Sequence, residues 1–360
     1  LSDVLFLCTA NTLHQIPLPL QDRMEIIELS GYTDEEKLKI ARQYLIPKQQ
    51  ELNGLEDIDL SLSDGAVKDL ISHYTKEAGV RNLEREISSV MRKLAREFVK
   101  DKKRKGFKVD VKMVQKLLGP QKYRFHKGDE DDQVGMTNGL AVTFFGGDLL
   151  PAEVTITPGK GKLTLTGKLG EVMQESCRAA LTYVRSRCLT FGLEPDFHEY
   201  IDLHVHFPEG AVPKDGPSAG VTISTSLVSA LLGVPVRKDV AMTGEINLRG
   251  RVLPIGGLKE KLLAAYRGEM STVVCPKDNE KDLHDVPKHV IKSLDIHFVS
   301  TIDEVLRLAL QEVDENHPNK ALHNFLKGEQ VAELTDWREA REYIERRNRE
   351  RKEAGKKPSH

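Results

Sequence analysis

The apolar residues of this chain change their spacing near Val134, and that change limits the fold more than any other feature. Before it, apolar positions recur at the three-and-four spacing of amphipathic helices. After it, short runs suited to strands alternate with helix-like segments. Residues 33–118 therefore read as helical. Thr33 is placed to cap a helix that opens Asp34-Glu35-Glu36, acids suited to the positive end of the helix dipole. A later helix is expected from about Val80 to Lys100, with Leu83, Ile87, Val90, Met91 and Leu94 along one side. Beyond Val134, strands are expected at 141–145, 152–157, 162–166, 201–207, 272–275 and 296–298, and helices at 170–192, 218–232, 257–267 and 302–310. That alternation describes a mixed α/β (α+β) domain preceded by an all-α one.

Gly119-Pro120 ends the helical part, and the acidic stretch Lys127 to Asp132 reads as a linker. The expected divisions are 1–29, 30–126, a linker at 127–133, 134–311, and a charged tail at 312–360. Residues 1–11 read as a buried strand and Met24 to Leu29 as a second, so the chain is expected to open inside a cut domain. In the tail, Trp337 to Arg347 fits one charged helix, Gly355 to His360 is expected to be disordered, and no function attaches to it. A hydrophobic content of 39% and a charged content of 30% describe a soluble globular protein, and the net charge of −2 argues against a dominant nucleic-acid surface. No apolar run approaches the roughly 18 residues of a membrane helix. Cys8, Cys177, Cys188 and Cys275 lack CxxC pairing and read as buried thiols in a reducing compartment.

One pair of segments carries chemistry. Pro213-Lys214-Asp215-Gly216-Pro217-Ser218-Ala219-Gly220 places a serine between a Gly-Pro turn and an apolar helix-like run. Pro217 suits the first helical position, and the helix N-terminus beside Ser218 would offer free N–H groups to an oxyanion. In the later segment, Leu258, Lys261, Leu262 and Ala265 follow the spacing of one helix face. Lys261 thus lies on an apolar stripe, whereas Lys259 points to the other side. Burial lowers a lysine pKa, and a neutral amine can take a serine proton. The alternative for Lys261 is to snorkel to the surface.

These residues resemble a family closely. The Gly-Pro-Ser-Ala-Gly turn, Met242-Thr243-Gly244-Glu245, Leu248-Arg249-Gly250 and Pro254 to Lys261 look like the proteolytic domain of the A-type Lon serine proteases. Leu29 to Tyr32 and Ala78 to Ile87 resemble that family's helical ATPase subdomain, so the resemblance covers about residues 1–311. It implies Ser218 as nucleophile, Lys261 as general base, and Thr243 as the hydrogen-bond partner of the lysine. It also implies Asp215 as a switch in the serine turn, and supporting roles for Glu153, His204 and His206. Asn11 resembles the sensor-1 residue, Arg23 the arginine finger and Arg81 the sensor-2 arginine. The family further implies a homo-oligomer, a six-membered ring, acting on unfolded or damaged proteins, with possible DNA binding and no membrane. The expected place is the bacterial cytoplasm, with the mitochondrial matrix as alternative. No cofactor or metal is expected in the proteolytic site. ATP and Mg²⁺ are expected for a full-length parent. The sequence contains no G-x-x-x-x-G-K-[ST] loop and no acidic Walker-B strand, so it should not hydrolyse ATP and should bind ADP weakly or not at all.

Other readings share the same residues. Asp202, His204 and His206 alternate onto one strand face and suggest a zinc site, or a Ser-His-Asp triad of Ser218, His206 and Asp202. Thr243 can be an ordinary strand end, Glu153 an edge-strand carboxylate, and Arg23 and Arg81 solvated helix residues. A binding module without peptidase activity is the remaining alternative, with Lys100 to Lys105 on DNA phosphates. An intact serine and lysine pair is what separates the protease from it.

Overall fold

The computed structural model describes residues 3–10, 16–27, 31–101, 106–123, 131–143, 146–208 and 213–329, with 341–343, 345–346 and 349 beyond them. The N-terminal part holds α1 (Leu18–Gln21), α2 (Asp34–Ile40), α3 (Ile46–Leu52), β1 (Asp59–Leu62), α4 (Asp64–Asp69), α5 (Arg81–Lys100), β2 (Gly106–Val109) and α6 (Val111–Leu118). Thr33 forms a complete capping box with Glu36 at the start of α2. Leu83, Ile87, Val90, Met91 and Leu94 of α5 are all fully buried, which is the stripe that the sequence spacing marks. One feature departs from an all-helical reading: β1 and β2 pair in parallel, Asp59 opposite Gly106 through Leu62 opposite Val109. Four-residue strands carry too little periodicity to be seen without their partners.

Residues 3–10 do not form the expected buried strand. Leu5 is 84% and Leu7 88% exposed, and residues 24–27 are not a strand either. No other strand lies beside them among the described residues, and a lone strand leaves its backbone groups and its apolar side chains uncovered.

The second part is built on one seven-stranded sheet. In chain order it contains β3 (Met136–Thr143), β4 (Gly146–Pro158), β5 (Leu163–Thr166), α7 (Glu171–Ser186), β6 (Ile201–His206), α8 (Gly220–Leu232), β7 (Val240–Met242), β8 (Glu245–Ile246), β9 (Val252–Leu253), α9 (Leu258–Arg267), β10 (Thr272–Pro276), α10 (Lys288–Ser293), β11 (Asp295–Val299), α11 (Ile302–Ala309) and α12 (Lys320–Leu326). The strand order is β11-β10-β7-β3-β4-β6-β5, and β8 with β9 makes a separate hairpin. β3–β4 and β4–β6 are antiparallel, and the other neighbours run parallel.

Strand alternation divides the core in two. Val240, Met242 and Val274 face the side covered by α7, α8 and α11, packed with Cys177, Ile223, Leu227 and Leu306. Ala241, Val273 and Cys275 face the other side, where Leu258, Leu262 and Ala265 of α9 cover them. The expected charged tail begins later than residue 312. Leu322 and Phe325 of α12 are buried in the first core, the Phe191 and Phe325 rings meet edge to face at 5.3 Å, and Asn319 donates to the Phe191 carbonyl at 2.7 Å. The short run Ala321-Leu322-His323-Asn324-Phe325 has two strong anchors and many polar neighbours, so composition alone conceals it. Most of the helix expected over 337–347 and the end of the chain lie outside the described residues.

Candidate active site

Ser218 sits in a single 3-10 turn, Pro217–Ala219, that leads directly into α8. Gly216 before it has a φ of +128°, open to glycine and rarely to other residues. Gly220 after it must also be small, because a Cβ there would lie 2.9 Å from the Ile246 nitrogen. The turn is therefore wedged against the β8–β9 hairpin. It is also tied to the sheet end, since the Ser218 carbonyl accepts from Gly244 N at 2.9 Å and from the Thr243 hydroxyl at 3.4 Å.

Strand alternation after Met242 turns Thr243 toward α9. Its N–H donates to the Val274 carbonyl at 3.0 Å, and its hydroxyl accepts from Lys261 Nζ at 2.9 Å. Lys261 is 2% and Thr243 1% exposed, so the lysine does not snorkel. Burial holds the Lys261 amine down at about 8 against an ordinary 10.5. A Cys275 thiolate would offset this, but complete burial pushes that thiol up to about 12 and keeps it neutral. Ser218 Oγ and Lys261 Nζ are not hydrogen-bonded to each other; Thr243 links them by bonding the lysine amine and the serine carbonyl.

Asp215 points away from this pair. Its carboxylate accepts from Met173 N at 3.0 Å and from Gly216 N at 2.9 Å, capping α7, whose own N-cap, Gly170, has no side chain to do so. A Cβ at Gly170 would lie 2.3 Å from the Asp215 carboxyl carbon, so the two residues fit only together.

Glu153, His204 and His206 gather on the other end of the sheet. Glu153 is opposite His206 in the β4–β6 register, and Thr166 Oγ1 lies 2.8 Å from His204 Nε2 and 2.7 Å from His206 Nδ1. Asp202 is committed elsewhere. It accepts from Lys160 N and Lys162 N, both at 2.8 Å, and these bonds hold its carboxyl below the usual range. The Ser-His-Asp reading is thus not assembled: His206 is bonded to Thr166 and Asp202 to a loop backbone. Among the described residues no three His, Cys, Asp or Glu side chains are grouped to hold a metal ion. Arg23 follows α1, Arg81 opens α5, both are exposed, and neither joins the serine or the lysine. Asn11 and residues 102–105 of the basic run Lys100 to Lys105 lie outside the described residues. Among the described residues, no helix is long and apolar enough to cross a membrane.

Asn279 supports the site without being marked in the sequence. It is 2% exposed, accepts from Ile255 N at 2.9 Å and donates to the Ile255 carbonyl at 2.8 Å, fixing the turn that launches α9. A lone asparagine among charged neighbours carries no signal of that pairing.

The comparisons with known proteins agree with this architecture. Residues 108–312 match the family described as the Lon protease (S16) C-terminal proteolytic domain, and residues 51–107 the Lon protease AAA+ ATPase lid domain. Lon protease 3 of Sorangium cellulosum is 57% identical over 336 residues, covering 92% of this chain and 40% of that protein. Lon protease 1 of Myxococcus xanthus is 60% identical (86% of this chain, 38% of that protein), and Lon protease of Escherichia coli K12 is 56% identical (86% and 40%). The chain spans about 40% of the length of these curated relatives. With a proteolytic-domain match over more than half of its residues, the chain belongs to the Lon protease family.

Proposed function

We propose that this chain is a serine endopeptidase in which Ser218 is the nucleophile and Lys261 the general base. The carrying observation is the buried amine of Lys261, held on Thr243, which in turn reaches the Ser218 carbonyl. Thr243 directs its one proton to that carbonyl, so its lone pairs face the lysine and it can only accept from the amine. The amine keeps its own lone pair free. It takes the Ser218 hydroxyl proton, and the oxygen attacks the peptide carbonyl carbon. The Ser218 N–H, which has no hydrogen-bond partner among the described residues, would stabilise the oxyanion. The protonated lysine returns the proton to the leaving amine, and water then hydrolyses the ester with the same lysine as base.

Asp215 acts on the geometry of the turn. With its carboxylate on α7, Asp215 is bonded away from the lysine; release of that cap would let the serine turn move. Glu153, His204 and His206 form a polar strip on the sheet that would contact the extended substrate. For the longer protein we propose ATP and Mg²⁺ dependence, unfolded or damaged protein substrates, a six-membered ring and a cytoplasmic location. Nucleotide chemistry is not expected of these 360 residues, which hold no phosphate loop.

Reaction with a serine-directed boronate or fluorophosphonate, followed by peptide mapping, tests the assignment. Modification at Ser218, absent in Ser218→Ala and strongly slowed in Lys261→Ala, is expected. Modification elsewhere, or an undiminished rate in Lys261→Ala, rejects the pair.

A further inference from the structure

The helix that carries Lys261 is held at both ends by a single glycine. A Cβ at Gly147 of β4 would lie only 1.9 Å from the carbonyl oxygen of Glu260, the residue before Lys261. The strand backbone therefore rests on the α9 backbone at the base itself, a contact that no other residue permits. The Gly147 carbonyl also accepts from Arg267 Nη2 at 2.6 Å, at the last residue of the same helix. Any displacement of Gly147 is thus carried into α9 at two points.

The next residue faces the N-terminal domain. Asp148 takes Lys76 Nζ at 2.9 Å, and these side chains are only 17% and 34% exposed. Arg267 lies 3.8 Å from Asp34 in the first turn of α2, and His289 of α10 lies 3.4 Å from Glu35. Lys37, 6% exposed, lines the same contact and is held within its own domain by donating to the Glu77 carbonyl. A small cavity between the domains is lined by Asp34, Lys37, Lys76, Glu77, Asp148 and Arg267. The groups meeting here are charged and offset one another, so the surface can separate and re-form without exposing an apolar core.

We infer that the strand segment Gly147-Asp148 couples the lid to the proteolytic base: Asp148 holds the lid through Lys76, while Gly147 bears on α9 beside Lys261. Lys76 and Asp148 are positioning residues, acting on the amine through the strand and the helix. This rests on the assignment of Lys261 as base.

The experiment uses the 360-residue chain and a short fluorogenic peptide. Lys76→Met and Asp148→Asn are each expected to lower kcat about threefold with KM unchanged, the size of effect that a partly exposed ion pair delivers. The double variant should lose no more than either single, because both remove the same contact. Lys76→Arg should restore the rate. Unchanged kcat in the singles, or losses that multiply in the double, would overturn the inference, as would an effect on KM alone. Thermal unfolding of each variant separates a general loss of fold, which Lys76→Arg would not selectively repair. Lys261→Ala distinguishes the two levels. If it stays active the base assignment fails, and if it is inactive while the singles keep full kcat only the coupling fails.

Discussion

A lysine that is 2% exposed, with a hydroxyl and no carboxylate as its hydrogen-bond partner, lowers the stability of the fold that contains it. Its pKa falls from 10.5 to about 8, so between those values the unfolded chain binds more protons than the folded one. Stability contributed by this group therefore rises with pH from about 8 to 10.5, and the full penalty, roughly 3 kcal/mol, stands below pH 8. Lys261→Met should stabilise the domain at pH 7 by up to that amount, less the lost bond to Thr243. The gain should shrink toward pH 10.5 in urea unfolding, and a gain that grows with pH contradicts this account. Catalysis carries the opposite sign. The wild-type rate should climb through about pH 8, reaching roughly a tenth of its plateau at pH 7, and Lys261→Arg should remove that limb. Thr243→Val keeps the volume but leaves the amine unaimed, and kcat should fall about tenfold with the limb retained. Lys261 was legible because a helix repeats every 3.6 residues and the stripe chose it over Lys259. Thr243 drew its role only from the family pattern, since its partner is eighteen residues away in the chain.

Helix α8 is buried from Gly220 to Ser229 and so tolerates little change. Its Thr225 and Ser229 hydroxyls donate to carbonyls, but the Thr222 and Ser224 oxygens have no partner among the described residues. A buried hydroxyl without a partner costs about 1–3 kcal/mol. Ser224→Ala removes that cost and improves helix propensity, so it should raise stability by about 1 kcal/mol in denaturant titration while leaving peptide cleavage intact. A destabilised variant would show that Ser224 has a partner such as a trapped water. The positions of α7, α8, α9 and α11 were readable from periodicity. The β1–β2 pair and α12 were not, because a four-residue strand and a seven-residue helix are defined by what they touch.

The molecule has separate apolar cores on the two sides of its charged domain contact. One lies within residues 41–117, and the others surround the seven-stranded sheet. Because the contact is carried by pairs such as Lys76–Asp148, the domains should unfold in two calorimetric steps. Added salt should weaken their coupling, since partly exposed pairs are screened. One transition, insensitive to salt, would show a single cooperative unit.

Short-range order was available from the chain alone. The change of period near Val134, the Thr33 cap, the α5 stripe and the serine turn each depend on neighbours within a turn or two, where sterics and periodicity act. The exposure of residues 3–10, the capture of Asp215 by α7, the tie of His204 and His206 to Thr166, and the seat of α9 on Gly147 depend on which surfaces meet. Burial and long-range hydrogen bonds exist only once the sheet has formed. A serine and a lysine forty-three positions apart can be named from the sequence (261 − 218), but the buried, Thr243-anchored amine between β7, β10 and α9 is a property of the assembled fold.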